Sequence, residues 1–167
     1  MNHIAKLLPP INLLIDFEAT SKKRVFEQAG LLFENQKGIA RSVVFDSLFA
    51  RERLGSTGLG QGIAIPHGRI KGLKDAVGAF IRLKTPVQFD APDGQPVGML
   101  FFLLVPEQAT EQHLQILSEL AQMFSDREFR STLNTMTDPA LLHAALTSWE
   151  PGTSQTDAPR AQVAGKR

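Results

Sequence analysis

The 167-residue sequence predicts a single α/β domain in which a mixed β-sheet is sandwiched between α-helices. Three observations carry this. The stretch "VGMLFFLLV", Val97 to Val105, is apolar almost throughout and is followed at once by Pro106, which is the pattern of a central strand covered on both faces. Apolar residues recur at helical spacing both before and after this strand-rich middle. The length suits one core and would crowd two.

Taken in order, residues 1–10 end in Pro9-Pro10 and predict a flexible lead-in, so the domain is expected over 11–150. Ile11 to Phe17 is an apolar run with the length of a short strand. From Ser21 to Gln36 the spacing turns helical, with Val25, Phe26, Ala29, Leu32 and Phe33 on one face and Gly38 as the stop. A second helix is expected over Arg41 to Arg53, its buried stripe carried by Val44 and Leu48 and continued by Arg51. A glycine-rich loop follows, then a short strand over Gly62 to Pro66. Ala76 to Leu83 has strand-type residues, and the segment after it is loop-like, with Asp93-Gly94 as a turn signal.

Beyond the central strand, Glu111 to Phe124 is helical, with Leu114, Leu117, Leu120, Ala121 and Phe124 at helical spacing. Further helix is expected from Ser125 to Leu133. Asp138-Pro139 opens a last helix as cap and first-turn proline. Its buried face is Leu141, Leu142, Ala145, Leu146 and Trp149. Residues 151–167 are Pro, Gly, Ser, Thr, Gln and charge, which predicts a disordered tail. Strand order does not follow from these patterns.

Composition narrows the function. Hydrophobic residues make up 43% and the formal net charge is +1, with acids and bases interspersed, so a basic nucleic-acid surface is not expected. Cysteine is absent, which excludes disulfides, thiolate metal sites and cysteine nucleophiles. The opening "MNHIAKLLPPINLL" lacks the core and cleavage site of a signal peptide, and no stretch approaches the roughly 18 apolar residues of a membrane helix. The expectation is a cytoplasmic protein without membrane insertion. Paired-histidine spacing such as H-E-x-x-H is missing, so no metal and no cofactor are expected.

One stretch stands apart: "GSTGLGQGIAIPHGR", Gly55 to Arg69. Its glycines fit neither G-x-G-x-x-G nor a Walker loop. They either make a tight turn or let backbone N–H groups converge on an anion, with Ser56 and Thr57 as added hydroxyl donors. His67 sits between Pro66 and Gly68. It is either an ordinary loop histidine or a nucleophile, since a neutral imidazole can attack a phosphoryl group near pH 7. Arg51, on the apolar spacing of its helix, either complements the helix C-terminal dipole or reaches over the loop toward a phosphate. His113, in the first turn of its helix, is either a surface residue or a neutral ring directed at an anion. His3 and His143 have no partner pattern.

The segment "RERLGSTGLGQGIAIPHGR" resembles the active-site region of bacterial phosphotransferase-system IIA proteins of the fructose and mannitol superfamily. Its Gly-Ser-Thr-Gly loop and Pro-His-Gly-Arg ending are most similar to the nitrogen-regulatory branch, IIA-Ntr. "LFFLLVPEQATEQHLQILSELAQMF" is similar to the strand, loop and helix that carry that family's second histidine. The resemblance runs from Ile11 to Trp149 and leaves the tail outside it. It implies a mannitol/fructose-type IIA fold, with His67 phosphorylated on Nε2, Arg51 neutralising phosphate charge, His113 as auxiliary histidine, and Ser56 and Thr57 lining the pocket. It further implies a phosphocarrier within a relay rather than a free-standing metabolic enzyme. The donor would be an HPr-like carrier, NPr, charged by an enzyme I. Regulated partners would be potassium transport proteins or sensor kinases, addressed according to phosphorylation state. The alternative is a sugar-specific IIA subunit passing phosphate to a IIB domain. A mixed sheet with an exposed edge also permits a homodimer.

Overall fold

A computed structural model describes residues 2–108 and 110–151; the expected tail, apart from Pro151, lies outside the described residues. After a short helix, α1 (Ile4–Leu7), and a 3-10 turn (Pro10–Asn12), the chain runs β1 (Leu13–Phe17), α2 (Lys22–Lys37), α3 (Arg41–Glu52), β2 (Gly58–Gly60), β3 (Ile63–Ala64), β4 (His67–Ile70), β5 (Val77–Val87) and β6 (Val97–Pro106). Three helices close it: α4 (Glu111–Ser125), α5 (Arg127–Thr135) and α6 (Pro139–Ser148).

β6 is the axis of the sheet, as its unbroken apolar run requires. β5 lies antiparallel along one side of it and β1 pairs in parallel beyond β5. On its other side β3 and then β4 run parallel to β6 in one register, Ile63 opposite Met99 and His67 opposite Leu103. β3 and β4 are therefore one strand line interrupted at Ile65-Pro66, and proline, lacking an N–H, cannot donate to the ladder there. β2 turns back antiparallel on β3.

Successive β6 side chains point to opposite faces, so the strand feeds two cores. Phe101, Leu103 and Val105 join α1, α4, α5 and α6 on one face. Leu100, Phe102 and Leu104 join α2 and α3 on the other. This is the mixed sheet between helical layers that the sequence predicts.

Several local expectations need correction. Residues 2–10 are not a loose lead-in: Ile4, Leu7 and Leu8 are fully or nearly fully buried. Asn2 Nδ2 donates to the carbonyls of Leu146 (2.9 Å) and Trp149 (2.7 Å), closing the N-terminus onto the end of α6. β5 continues through Val87, since the segment after Leu83 still pairs, Val87 opposite Val97. The buried face of α4 is Ile116, Leu120, Met123 and Phe124, while Leu114 is 63% exposed. On α6, Leu141 likewise faces outward. Gly38 ends α2 at φ 73° and Asp138 accepts from the Ala140 amide beside Pro139, as the sequence predicts, while Ser21, expected as the first helical residue, is the cap of α2, its Oγ accepting from the Arg24 amide.

Candidate functional site

The site forms where α3 lies against β4. The approach is close because Gly68 has no side chain: a Cβ there would come within 2.3 Å of Ser47 Oγ and 3.1 Å of the Ser47 carbonyl carbon. Ser47 Oγ donates to the Arg69 carbonyl at 2.8 Å and closes the contact. The last turn of α3 is thereby set beside His67 at the start of β4. The first turn of α4 and the end of β6 complete the enclosure. The resulting cavity, about 750 Å³, is lined by His67, Arg51, His113 and Arg69, among apolar walls that include Leu103, Leu114 and Leu117.

His67 does not lie in a loop after the strand expected to end at Pro66; it opens β4 and is half-buried. Its Nδ1 lies 2.8 Å from the Ile65 carbonyl. A carbonyl can only accept, so Nδ1 carries the proton and Nε2 carries the lone pair. Burial pushes the His67 pKa below its ordinary value of 6.5, and the Arg51 charge pushes the same way; the Ile65 hydrogen bond and the Glu52 carboxylate oppose them. The neutral ring, with its lone pair on Nε2, is therefore the predominant form at pH 7.

Arg51 leaves the helix in its last turn, and Nη1 donates to the Gly55 carbonyl at 2.8 Å. That bond holds the guanidinium over the glycine loop on the cavity wall. His113 occupies the third position of α4, where its Nδ1 accepts from the Thr110 amide at 3.0 Å. An amide can only donate, so the neutral His113 ring carries its proton on Nε2 and is a donor there. Arg51, His67 and His113 are thus brought to one cavity from three different elements.

Ser56 and Thr57 are not, and the expectation that they line the pocket is corrected. Ser56 Oγ donates to the Phe89 carbonyl (3.1 Å) and accepts from the Gly58 amide (3.1 Å). Thr57 is buried with its hydroxyl 2.6 Å from Glu52 Oε1. Both hydroxyls tie the loop down from behind. His3 and His143 lie elsewhere, on Glu119 and on the Leu8 carbonyl. Among the described residues no group of three or more His, Cys, Asp or Glu side chains is placed to hold a metal ion.

Three features escaped the sequence reading. Glu52 is a buried acid behind the loop, and Val44, Leu48 and Glu52 at intervals of four are the true buried line of α3, with Arg51 at its margin. Arg69 follows His67 by two on one strand and so shares its face and the cavity. Leu54 (85% exposed) and Leu114 give the cavity an apolar rim. The spacing of Leu114 suggested a buried face, and spacing alone does not say which side of α4 meets the sheet.

Residues 6–149 match the family described as phosphoenolpyruvate-dependent sugar phosphotransferase system, EIIA 2. A nitrogen regulatory protein of Pseudomonas aeruginosa is 44% identical over 136 residues, covering 81% of this chain and 88% of the relative. The crystal structure of nitrogen regulatory protein IIA-Ntr from Neisseria meningitidis superposes with a TM-score of 0.84 at 53% identity, over 87% of this chain and 100% of that one. The crystal structure of IIA mannitol from Escherichia coli shares the fold at 22% identity, with a TM-score of 0.65 over 81% of this chain and 96% of that one.

Proposed function

This chain belongs to the EIIA 2 family of the phosphoenolpyruvate-dependent sugar phosphotransferase system, and on that premise we propose that it is a nitrogen-regulatory phosphocarrier. The observation that carries the reading is His67 itself. Its Nδ1 proton is held by a carbonyl, and its Nε2 lone pair is free in a cavity shared with Arg51 and His113.

The Nε2 lone pair attacks the phosphorus of a phosphohistidine on an HPr-like carrier, NPr, itself charged through an enzyme I. The new N–P bond forms as the carrier's N–P bond breaks, and those electrons return to the carrier's imidazole. No proton need move, since His67 keeps its Nδ1 proton on the Ile65 carbonyl. Catalysis then rests on positioning and on charge stabilisation. Arg51 supplies a fixed positive charge and His113 a donor at Nε2. Leu54 and Leu114 give the rim an exposed apolar surface that a docked carrier would cover, and that covering would exclude water from a bond that hydrolyses readily. Phosphate on His67 adds negative charge at this rim, which changes which partner surfaces fit it, such as those of potassium transport proteins or sensor kinases.

The test is intact mass after incubation with phosphoenolpyruvate, enzyme I and an HPr-like carrier. One acid-labile phosphate is expected on the wild type and none on His67→Ala, with Arg51→Ala folded but about 100-fold slower. No uptake from a nitrogen-branch or a sugar-branch carrier would remove the mechanism. A second reading, a sugar-specific IIA subunit, is favoured by the sugar system in the family's own description. Having no cysteine, the chain lacks a IIB-type thiol acceptor of its own, and efficient transfer onward to a separate IIB protein with sugar phosphorylation would select that reading.

A further inference from the structure

We propose that Glu52 is a positioning residue for His67, acting through Thr57 and Ile65 to hold the ring with its proton on Nδ1 and its lone pair on Nε2. The inference rests on the reading of His67 as the phosphoryl acceptor.

Glu52 ends α3 with its side chain 3% exposed, and both of its oxygens are engaged. Oε2 accepts from the Thr57 amide at 3.0 Å, and Oε1 accepts from the Thr57 hydroxyl at 2.6 Å. Lys22 Nζ lies 2.7 Å from Oε2 and balances the charge, itself donating to the Phe89 carbonyl at 3.2 Å and sitting 4.2 Å above the Phe89 ring. A buried carboxylate fixed in this way is a rigid anchor. Its two bonds to one residue fix both the peptide plane and the side-chain rotamer of Thr57.

From Thr57 the hydrogen bonds run straight to the site. The Thr57 carbonyl accepts from the Ile65 amide at 3.0 Å, and the Ile65 carbonyl accepts from His67 Nδ1–H at 2.8 Å. The location explains why an anchor is needed. Ile65 falls in the gap between β3 and β4, where the ladder to β6 is interrupted. The Ile65 amide is paired with Thr57 rather than with β6, and the Pro66 carbonyl accepts from the Leu103 amide at 3.0 Å, so the Ile65 carbonyl lies between the hold at Thr57 and the hold on β6. If Thr57 shifts, the carbonyl that selects the His67 tautomer shifts with it. The proton is then free to move to Nε2, where it removes the attacking lone pair.

The experiment reads the tautomer directly, by long-range 1H–15N NMR on histidine-labelled protein at pH 8, alongside the phosphorylation rate from an HPr-like carrier. In the wild type His67 should hold a single Nδ1–H form. Glu52→Gln and Thr57→Val should each give a mixture of tautomers and about tenfold slower phosphorylation. Thr57→Ser, which keeps the hydroxyl, should restore both. A folded Glu52→Gln with the wild-type tautomer overturns the proposal, and so does a slower rate without a tautomer change, which would reduce Glu52 to a structural or charge role. Should Glu52→Gln fail to fold, the Thr57→Val and Thr57→Ser pair decides alone. Should the wild type take up no phosphate at all, the proposed function falls, while the tautomer comparison still tests the relay.

Discussion

An imidazole can attack phosphorus only while it is neutral, and the surroundings of His67 favour that form. Burial disfavours the imidazolium first, and Arg51 adds repulsion. The native pKa is therefore below the ordinary 6.5, and the sign of the pH effects follows. Between the two values the unfolded chain binds more protons than the folded one, so this residue's contribution to stability is intact above pH 6.5 and is lost as pH falls toward the native pKa. Phosphorylation of His67 should be flat from pH 8 to 7 and fall only with a midpoint under 6.5. Titration of the ring by NMR checks this, and Arg51→Met should move the midpoint upward. A midpoint at or above 6.5 in the wild type would mean that the ring is solvated rather than desolvated. The sequence announces the three cavity residues because each is chemically conspicuous where it stands: a histidine between Pro66 and Gly68, an arginine on an apolar stripe, a histidine in a first turn. It does not announce Ser56 and Thr57 correctly, because residue type cannot say which way a hydroxyl points. Theirs are taken by Phe89 and Glu52 behind the loop.

At the scale of elements, the site depends on how near α3 can come to β4, and Gly68 sets that distance. A methyl group at this position meets Ser47 Oγ at 2.3 Å and, behind it, backbone that cannot rotate away. Gly68→Ala should therefore cost about 1–3 kcal/mol in chemical denaturation and slow phosphorylation as well, since α3 carries Arg51 with it. Adding Ser47→Ala should recover part of the stability by removing the hydroxyl, but not all of it. The Arg69 carbonyl loses its donor and the Ser47 backbone contact at 3.1 Å remains. Full stability in Gly68→Ala alone would show that the two elements do not touch as described. The elements themselves are readable wherever a local signal ends them: Gly38 and Asp138-Pro139 mark helix ends by their own chemistry. Pairing across the sheet has no such local signal. That is why β5 runs past Leu83 to Val87, and why His67 opens a strand of its own instead of following the one expected to end at Pro66.

For the whole molecule, the N-terminus decides whether the helical layer of α4, α5 and α6 is closed. Ile4, Leu7 and Leu8 follow the i, i+3, i+4 spacing of a helix face, yet a four-residue helix ahead of Pro9-Pro10 is too short to form by propensity alone. It is held by what it covers, which no local pattern shows. Ile4, Leu7 and Leu8 lie in the same core as Phe80, Phe101 and Leu146. Asn2 binds the carbonyls of Leu146 and Trp149, and His143 Nε2 binds that of Leu8 at 2.8 Å. Three buried aliphatic side chains contribute on the order of 4 kcal/mol or more, so removal of residues 1–8 should lower the melting temperature by roughly 10 °C or abolish folding. Leu8→Ala in the full chain should by itself cost about 2–5 kcal/mol. A flexible lead-in would give no change in either experiment. The segment lies on the opposite face of the sheet from α3 but in the same layer as α4, which carries His113, so Leu8→Ala should lower stability and, measured well below the melting point, slow phosphorylation of His67 by no more than His113→Ala does. A larger loss would show that the disturbance crosses β6 to α3 and Arg51, and that the two layers on either side of the sheet do not hold their parts of the site independently.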